Sequence, residues 1–166
     1  LDTHGGSLRF YIKKKDNKKI NISKSVHKQI KNEIKYGLNK FSTYLNFSKN
    51  VQKSKKKLLS KLKILKNQNI DIIGYGATAK AVTVINYCDI NNNLISNFLD
   101  TTPEKINRYM PGKNIKIIKY NQKILDKYNY IFLGAWNFKN EILKKEKKYI
   151  KRGGKFITHL PYPQIL

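Results

Sequence analysis

Between Ser7 and Lys14 apolar and polar side chains alternate, with Leu8, Phe10 and Ile12 set against Arg9, Tyr11 and Lys13, which is the period of a strand with one covered face. After Asp16 and Asn17, residues that suit a turn, the period lengthens. Val26, Ile30 and Ile34 recur at every fourth position, so a helix is expected to open near Ser23. A longer helix is predicted from about Phe41 to Leu65, with Phe41, Leu45, Val51, Leu58, Leu62 and Leu65 as its apolar stripe. From Asn69 onward the pattern repeats strand then helix. Ile70 to Tyr75, Leu94 to Leu99, Ile115 to Ile118, Tyr130 to Leu133 and Lys155 to Thr158 read as strands. Ala77 to Tyr87, Gln122 to Lys127 and Lys139 to Lys151 read as helices. Strands and helices alternating at this spacing imply right-handed crossovers and a mostly parallel sheet. The expected fold is α/β: a Rossmann-like, mostly parallel sheet with flanking helices, preceded by a strand and a helical pair. Residues 1–66 are expected to form the linking strand and helical pair, and residues 67–166 the Rossmann-like α/β domain, the two together making one structural domain.

Composition changes that picture in one respect. The chain has 166 residues, 40% of them apolar and 11% aromatic, enough to build a core. Its 35 Lys and Arg against 10 Asp and Glu give a formal charge of +25, which raises a polyanion as partner and a basic nucleic-acid-binding module as one reading of function. Only Arg9, Arg108 and Arg152 carry the bidentate fork that nucleic-acid interfaces favour, and Lys, Ile and Asn supply 73 residues where Ala supplies four. That is the signature of AT-rich codons, so most of the charge is ascribed to composition, and neither nucleic acid nor a membrane is expected as a partner. The excess is also uneven: a net of +16 over residues 1–66 and +9 over residues 67–166. The lysine face of the longer helix, from Lys49 to Lys63, reads as a solvated outer surface. Cys88 is the only cysteine, which leaves no disulfide framework and no cysteine zinc site within the chain and makes a reducing cytoplasm the expected location. No stretch approaches the roughly 20 apolar residues that span a bilayer. No cluster of His, Asp and Glu has metal-ligand spacing. A start at Leu1, without Met, reads as the start of a fragment of a longer enzyme.

In an open parallel sheet, ligands collect outside the carboxyl ends of the strands, where loops and helix amino termini present free N–H groups. That rule selects the loop Gly74, Tyr75, Gly76, Ala77, Thr78, Ala79 and Lys80, whose two glycines allow a sharp turn and whose helix start favours a phosphate. Ala79 stands where a dinucleotide fingerprint has its third glycine, a replacement the fingerprint tolerates. The same loop also suits a tight strand-to-helix turn that binds nothing. Asp100 closes the next strand, where it can accept from a ribose hydroxyl and also cap the Thr101-Thr102-Pro103-Glu104 turn, two compatible roles. Trp136 and Asn137 follow a strand and so lie on the same rim, the Trp ring either stacking on a ligand or packing into the core. An NAD-binding Rossmann domain is a further reading, weakened because no catalytic constellation accompanies the glycine loop. His4 precedes Gly5 and Gly6 on a turn, a setting that suits a proton-transfer group. His27 and His159 have no such setting.

Taken together these segments resemble one family. Thr3-His4-Gly5-Gly6-Ser7-Leu8-Arg9 is similar to its THGGSLR stretch, and Gly74 to Lys80 with Thr83 and Asn86-Tyr87-Cys88 to its GYGAxAKxxTxxNYC segment. Asp100, Pro103, Lys105 and Arg108-Tyr109-Met110-Pro111-Gly112 fit a third motif. Trp136-Asn137 with Glu141-Ile142, and Gly153-Gly154-Lys155-Phe156-Ile157, fit the closing pair. The family is that of the S-adenosylmethionine (SAM)-dependent C-methyltransferases of nucleotide-linked deoxysugars. Its members have an amino-terminal zinc-binding region, a central SAM-binding Rossmann domain and a carboxy-terminal Rossmann-like domain that helps to hold the nucleotide-sugar, and this chain resembles only the last. The resemblance therefore implies the substrate-binding carboxy-terminal domain of a C-methyltransferase acting on a nucleotide-linked keto-deoxysugar. SAM and zinc would be held by upstream domains of the same protein, no metal or cofactor by this chain, and no catalysis by this chain alone is expected. It makes His4 the candidate general base and Gly74, Tyr75, Gly76, Ala77, Thr78, Lys80, Asp100, Trp136 and Asn137 the candidate substrate-binding residues. Two departures stand out. Leu1, Asp2 and Thr3 lack the acidic and aromatic residues that accompany this His in some relatives, and Asn107 stands where Gly is common, a mild change because Asn tolerates positive φ.

Overall fold

The computed structural model describes residues 1, 3 and 6–166. It divides into two compact units, Leu1–Val51 and Gln52–Leu166. In the first, Ser23 caps α1 (Lys24–Lys35), its side chain accepting from the Ser25 N–H at 3.2 Å. Val26, Ile30 and Ile34 share one helix face as their spacing predicts, yet each stays about half exposed. The strand expected over Ser7 to Lys14 does not form. A strand is held by the N–H and C=O groups of a neighbour and by cover on one face. Neither is present here: no ladder partner stands beside the segment among the described residues, and Ile12 is 93% exposed.

α2 (Phe41–Asn67) covers the whole predicted stretch, and from Gln52 on it belongs to the second unit, where Leu58, Leu62 and Leu65 are buried. There the chain builds β1 (Ile72–Tyr75), α3 (Ala79–Cys88), β2 (Asn97–Asp100), β3 (Lys116–Lys119), α4 (Gln122–Leu125), β4 (Tyr130–Leu133), α5 (Lys139–Lys145), α6 (Lys147–Lys151), β5 (Lys155–Thr158) and β6 (Gln164–Ile165). The strand order is β3-β2-β1-β4-β5-β6, with β1 to β5 parallel and β6 antiparallel to β5. Order 3-2-1-4-5-6 is that of a doubly wound nucleotide-binding sheet, with its switch point between β1 and β4. The expected α/β, mostly parallel sheet with flanking helices is therefore what forms, preceded by two helices.

Alternation along each strand divides the core. Ile72, Phe98, Phe132 and Ile157 pack with α2 and α3, whereas Ile73, Tyr75, Leu99, Ile131, Leu133 and Phe156 pack with residues of α4, α5 and α6. Gly74 pairs in register with Phe98 on one side and Phe132 on the other, and a Cβ on it would lie 2.4 Å from the Phe98 ring. Its missing side chain is what lets the two rings meet edge to face, 6.1 Å between centroids. Three features differ from the pattern reading. The helix over Lys139 to Lys151 breaks at Glu146, β6 adds an unforeseen edge, and 3₁₀ turns occupy Pro103–Lys105 and Trp136–Phe138. Asn107 takes φ +64°, the left-handed conformation that an Asn in a glycine position accepts.

Candidate functional site

The loops after β1 and β4 are joined at the switch point. The Gly134 and Ala135 N–H groups donate to the Tyr75 carbonyl at 2.9 and 3.2 Å, and the Thr78 hydroxyl donates to the Gly134 carbonyl at 3.1 Å. A Cβ on Gly76, which has φ +84°, would meet the Ala135 Cβ at 2.6 Å. The glycine that a phosphate-binding loop keeps open for its ligand is here filled by a neighbouring loop.

Asp100 is buried and turned inward. Its Oδ2 accepts from the Ala77 N–H at 2.8 Å and lies 3.3 Å from the Lys105 ammonium, and its Oδ1 accepts from the Thr102 N–H at 2.9 Å. Burial alone would raise its pKa, but the hydrogen bonds from Thr102, the Lys105 charge and the Ala77 N–H outweigh burial and hold the carboxyl below the usual carboxylate range. Of the two roles open to it, the structure fills the capping one.

A cavity of about 400 Å³ opens at the carboxyl ends of β1 and β2, within the range of small-molecule sites. Of the predicted residues, Tyr75, Gly76, Thr78 and Asp100 line it. Gly74 lies in the sheet and Ala77 is buried behind the loop. Lys80 sits 5.3 Å from the centroid of the Trp136 ring, and Trp136 meets His159 edge-on; neither they nor Asn137 line the cavity. Phe138, from the same 3₁₀ turn as Trp136 and Asn137, does. His4 lies outside the described residues.

Pattern reading passed over the residues on the other wall: Tyr120, Lys145 and, beneath them, Glu146. Glu146 is 1% exposed. The break between α5 and α6 turns it inward, where Tyr75 donates to its Oε1 at 2.9 Å and the Tyr120 hydroxyl lies 2.8 Å away. That hydroxyl has a second acceptor in Gln122, at 2.7 Å. Burial and then the hydrogen bond to Glu146 push both phenols above their ordinary pKa, so both remain neutral donors. The Lys145 ammonium donates to the Tyr75 hydroxyl at 3.1 Å, lies 3.7 Å from Glu146 and stands 3.8 Å from the centroid of the Tyr120 ring. Tyr75 ends β1 and Tyr120 follows β3, so the strand-end rule reaches both. Nothing local announces Glu146.

His159 is a second residue given no role from sequence. It is 4% exposed and stacked on Phe132 at 5.5 Å, and neither ring nitrogen has a hydrogen-bond partner among the described residues. Burial lowers its pKa to about 4. Among the described residues no group of three or more His, Cys, Asp or Glu could hold a metal ion, and no helix is long and apolar enough to cross a membrane.

Residues 2–161 match the family model of the C-methyltransferase C-terminal domain. The chain is also 26% identical over 167 residues to the C-methyltransferase NovU of Streptomyces niveus. That alignment takes in 99% of this chain and 39% of the relative, so the chain spans about two-fifths of the length of the curated protein it matches.

Proposed function

The chain belongs to the C-methyltransferase C-terminal domain family, and from that premise we propose that it is the substrate-binding part of a SAM-dependent enzyme that methylates carbon in a nucleotide-linked keto-deoxysugar. The observation that carries this reading is the cavity over β1 and β2. Its lining joins apolar Leu99 and Ile142 to the hydroxyls of Thr101 and Thr102 and to charges of both signs, Lys105 and Lys145 with Asp100 and Glu141. An apolar seat with a few polar and charged groups above it suits a ligand that joins a ring to hydroxyls and phosphate.

The residues of this chain do not fit the methyl donor, nor do they fit a dinucleotide. The carboxylate that would take ribose hydroxyls already accepts from Ala77, Thr102 and Lys105, and Gly76 is closed against Ala135. On this reading SAM and zinc are held by upstream domains of the same protein, the chain alone transfers no methyl group, and the enzyme works in the cytoplasm. Methylation beside a ketone requires that a proton leave the carbon, so a base must stand next to it. His4 is our candidate for that base. Tyr75 and Thr78, which line the cavity, are our candidates for contact with the substrate, and Trp136 and Asn137, further along the rim, for contact with its sugar end.

Thermal shift with nucleoside diphosphates, NAD and SAM tests the reading. Stabilisation by nucleoside diphosphate alone is expected, and stabilisation by NAD without nucleoside diphosphate would overturn it. In the enzyme of which this chain forms part, His4→Ala should abolish methyl transfer while sugar binding is retained. Unchanged turnover would remove His4 from the mechanism.

A further inference from the structure

We propose that Lys145 reads the phosphate of a nucleotide whose ring lies in the cavity over β1 and β2. The proposal deepens the reading of this domain as a nucleotide-sugar site and rests on it.

Lys145 stands at a junction. It lines the cavity of about 400 Å³ and also a second one of about 560 Å³, which it shares with Lys148, Lys151 and Arg152. Arg152 is engaged by Asp126 and Lys145 lies 3.7 Å from the buried Glu146, so the four cations of this opening exceed its two carboxylates by two, with Lys148 and Lys151 as the surplus. Several ammonium groups facing one opening fit the multiple charge of a diphosphate better than the single charge of a carboxylic acid. The first cavity is a different environment. Its lining includes Phe138, 43% exposed, and the apolar Leu99 and Ile142. Lys145 is the residue the two linings share, so a ligand that reaches both would be apolar at one end, anionic at the other, and meet Lys145 between them.

The Lys145 ammonium is also held in place to meet it. The Tyr75 hydroxyl, the Tyr120 ring and the buried Glu146 fix its position, yet about half of the side chain remains exposed. An ammonium so held loses less freedom on binding than a lysine extended into water.

Titration calorimetry of the protein with uridine diphosphate and with uridine, at low and moderate salt, provides the test. The diphosphate should bind more tightly than the nucleoside. Lys145→Ala should weaken the diphosphate about tenfold and leave the nucleoside unchanged, and Lys145→Arg should keep most of the affinity. Unchanged diphosphate affinity in Lys145→Ala would overturn the proposal. So would equal weakening of both ligands, which would make Lys145 a packing group on Tyr120, and so would absence of binding by the unaltered protein. These outcomes are separable from failure of the methyltransferase reading: nucleotide binding that depends on Lys145, in an enzyme that transfers no methyl group, would refute that reading and leave the nucleotide site standing.

Discussion

On one face of the sheet β1, β2, β4 and β5 present Ile72, Phe98, Phe132 and Ile157 to the part of α2 from Gln52 to Asn67 and to the 10-residue α3. On the other face the same strands present Tyr75, Leu99, Leu133 and Phe156, and the covering helices have only four, seven and five residues. Long helices seal the first face with aliphatic and phenylalanine side chains. Short ones leave gaps on the second, and the gaps are the two cavities. A buried carboxylate is sustained on that face because two phenols and an ammonium answer it. Covering length thus separates the face that holds the domain together from the face able to take a ligand.

The largest test of that division is Phe98→Ala, which removes a fully buried ring from the sealed face. It should cost about 3–5 kcal/mol of stability, read from urea unfolding, while folded molecules bind nucleotide as before. Lost binding at undiminished stability would break the division.

Glu146→Ala acts on the open face and should cost about 1–3 kcal/mol, because the buried Tyr75 hydroxyl then lacks its acceptor. The same variant should loosen Lys145 and weaken nucleotide binding, so its two effects should appear together, in contrast to Phe98→Ala.

His159 sharpens the comparison as an imidazole buried on the sealed face. Its pKa is about 4 in the folded protein against an ordinary 6.5. Between those values the unfolded chain binds the extra proton, so this stability is fully present above pH 6.5 and drains away as pH falls toward 4. The slope is at most about 1.4 kcal/mol per pH unit. His159→Phe keeps the stack on Phe132 and should flatten that slope in unfolding curves taken across the window. An unaltered slope would show that the imidazole already has a partner.

Most of the sheet was legible because short continuous apolar runs bounded by Gly or Asn need no long-range information to be recognised as strands buried on both faces. β4 and β5 begin and end where the pattern places them, and β1 and β2 differ only at their ends. The Ser7–Lys14 run alternates instead, as a strand covered on one face does, but among the described residues it has no neighbour to pair with, and a partner is not written into the segment itself. The candidate site was half legible. Strand-end reasoning reaches Tyr75, Thr78 and Asp100, although Asp100 is drawn off by two backbone N–H groups and Lys105. Glu146 sits inside a helical run rich in lysine, and its meaning comes from a hydroxyl 71 residues away, so only the folded chain reveals it.

The junction of Gly76, Gly134 and Ala135 has a consequence for the kinetics of recognition. With Gly134 and Ala135 donating to the Tyr75 carbonyl and Gly76 donating to that of Leu99, the backbone of the rim between β1 and β4 is pinned on both sides. For the nucleotide proposed above, binding beside this rim would forfeit little main-chain entropy, and the encounter would be set by diffusion in a positive field. The rim behaves as a mould cast before its ligand arrives.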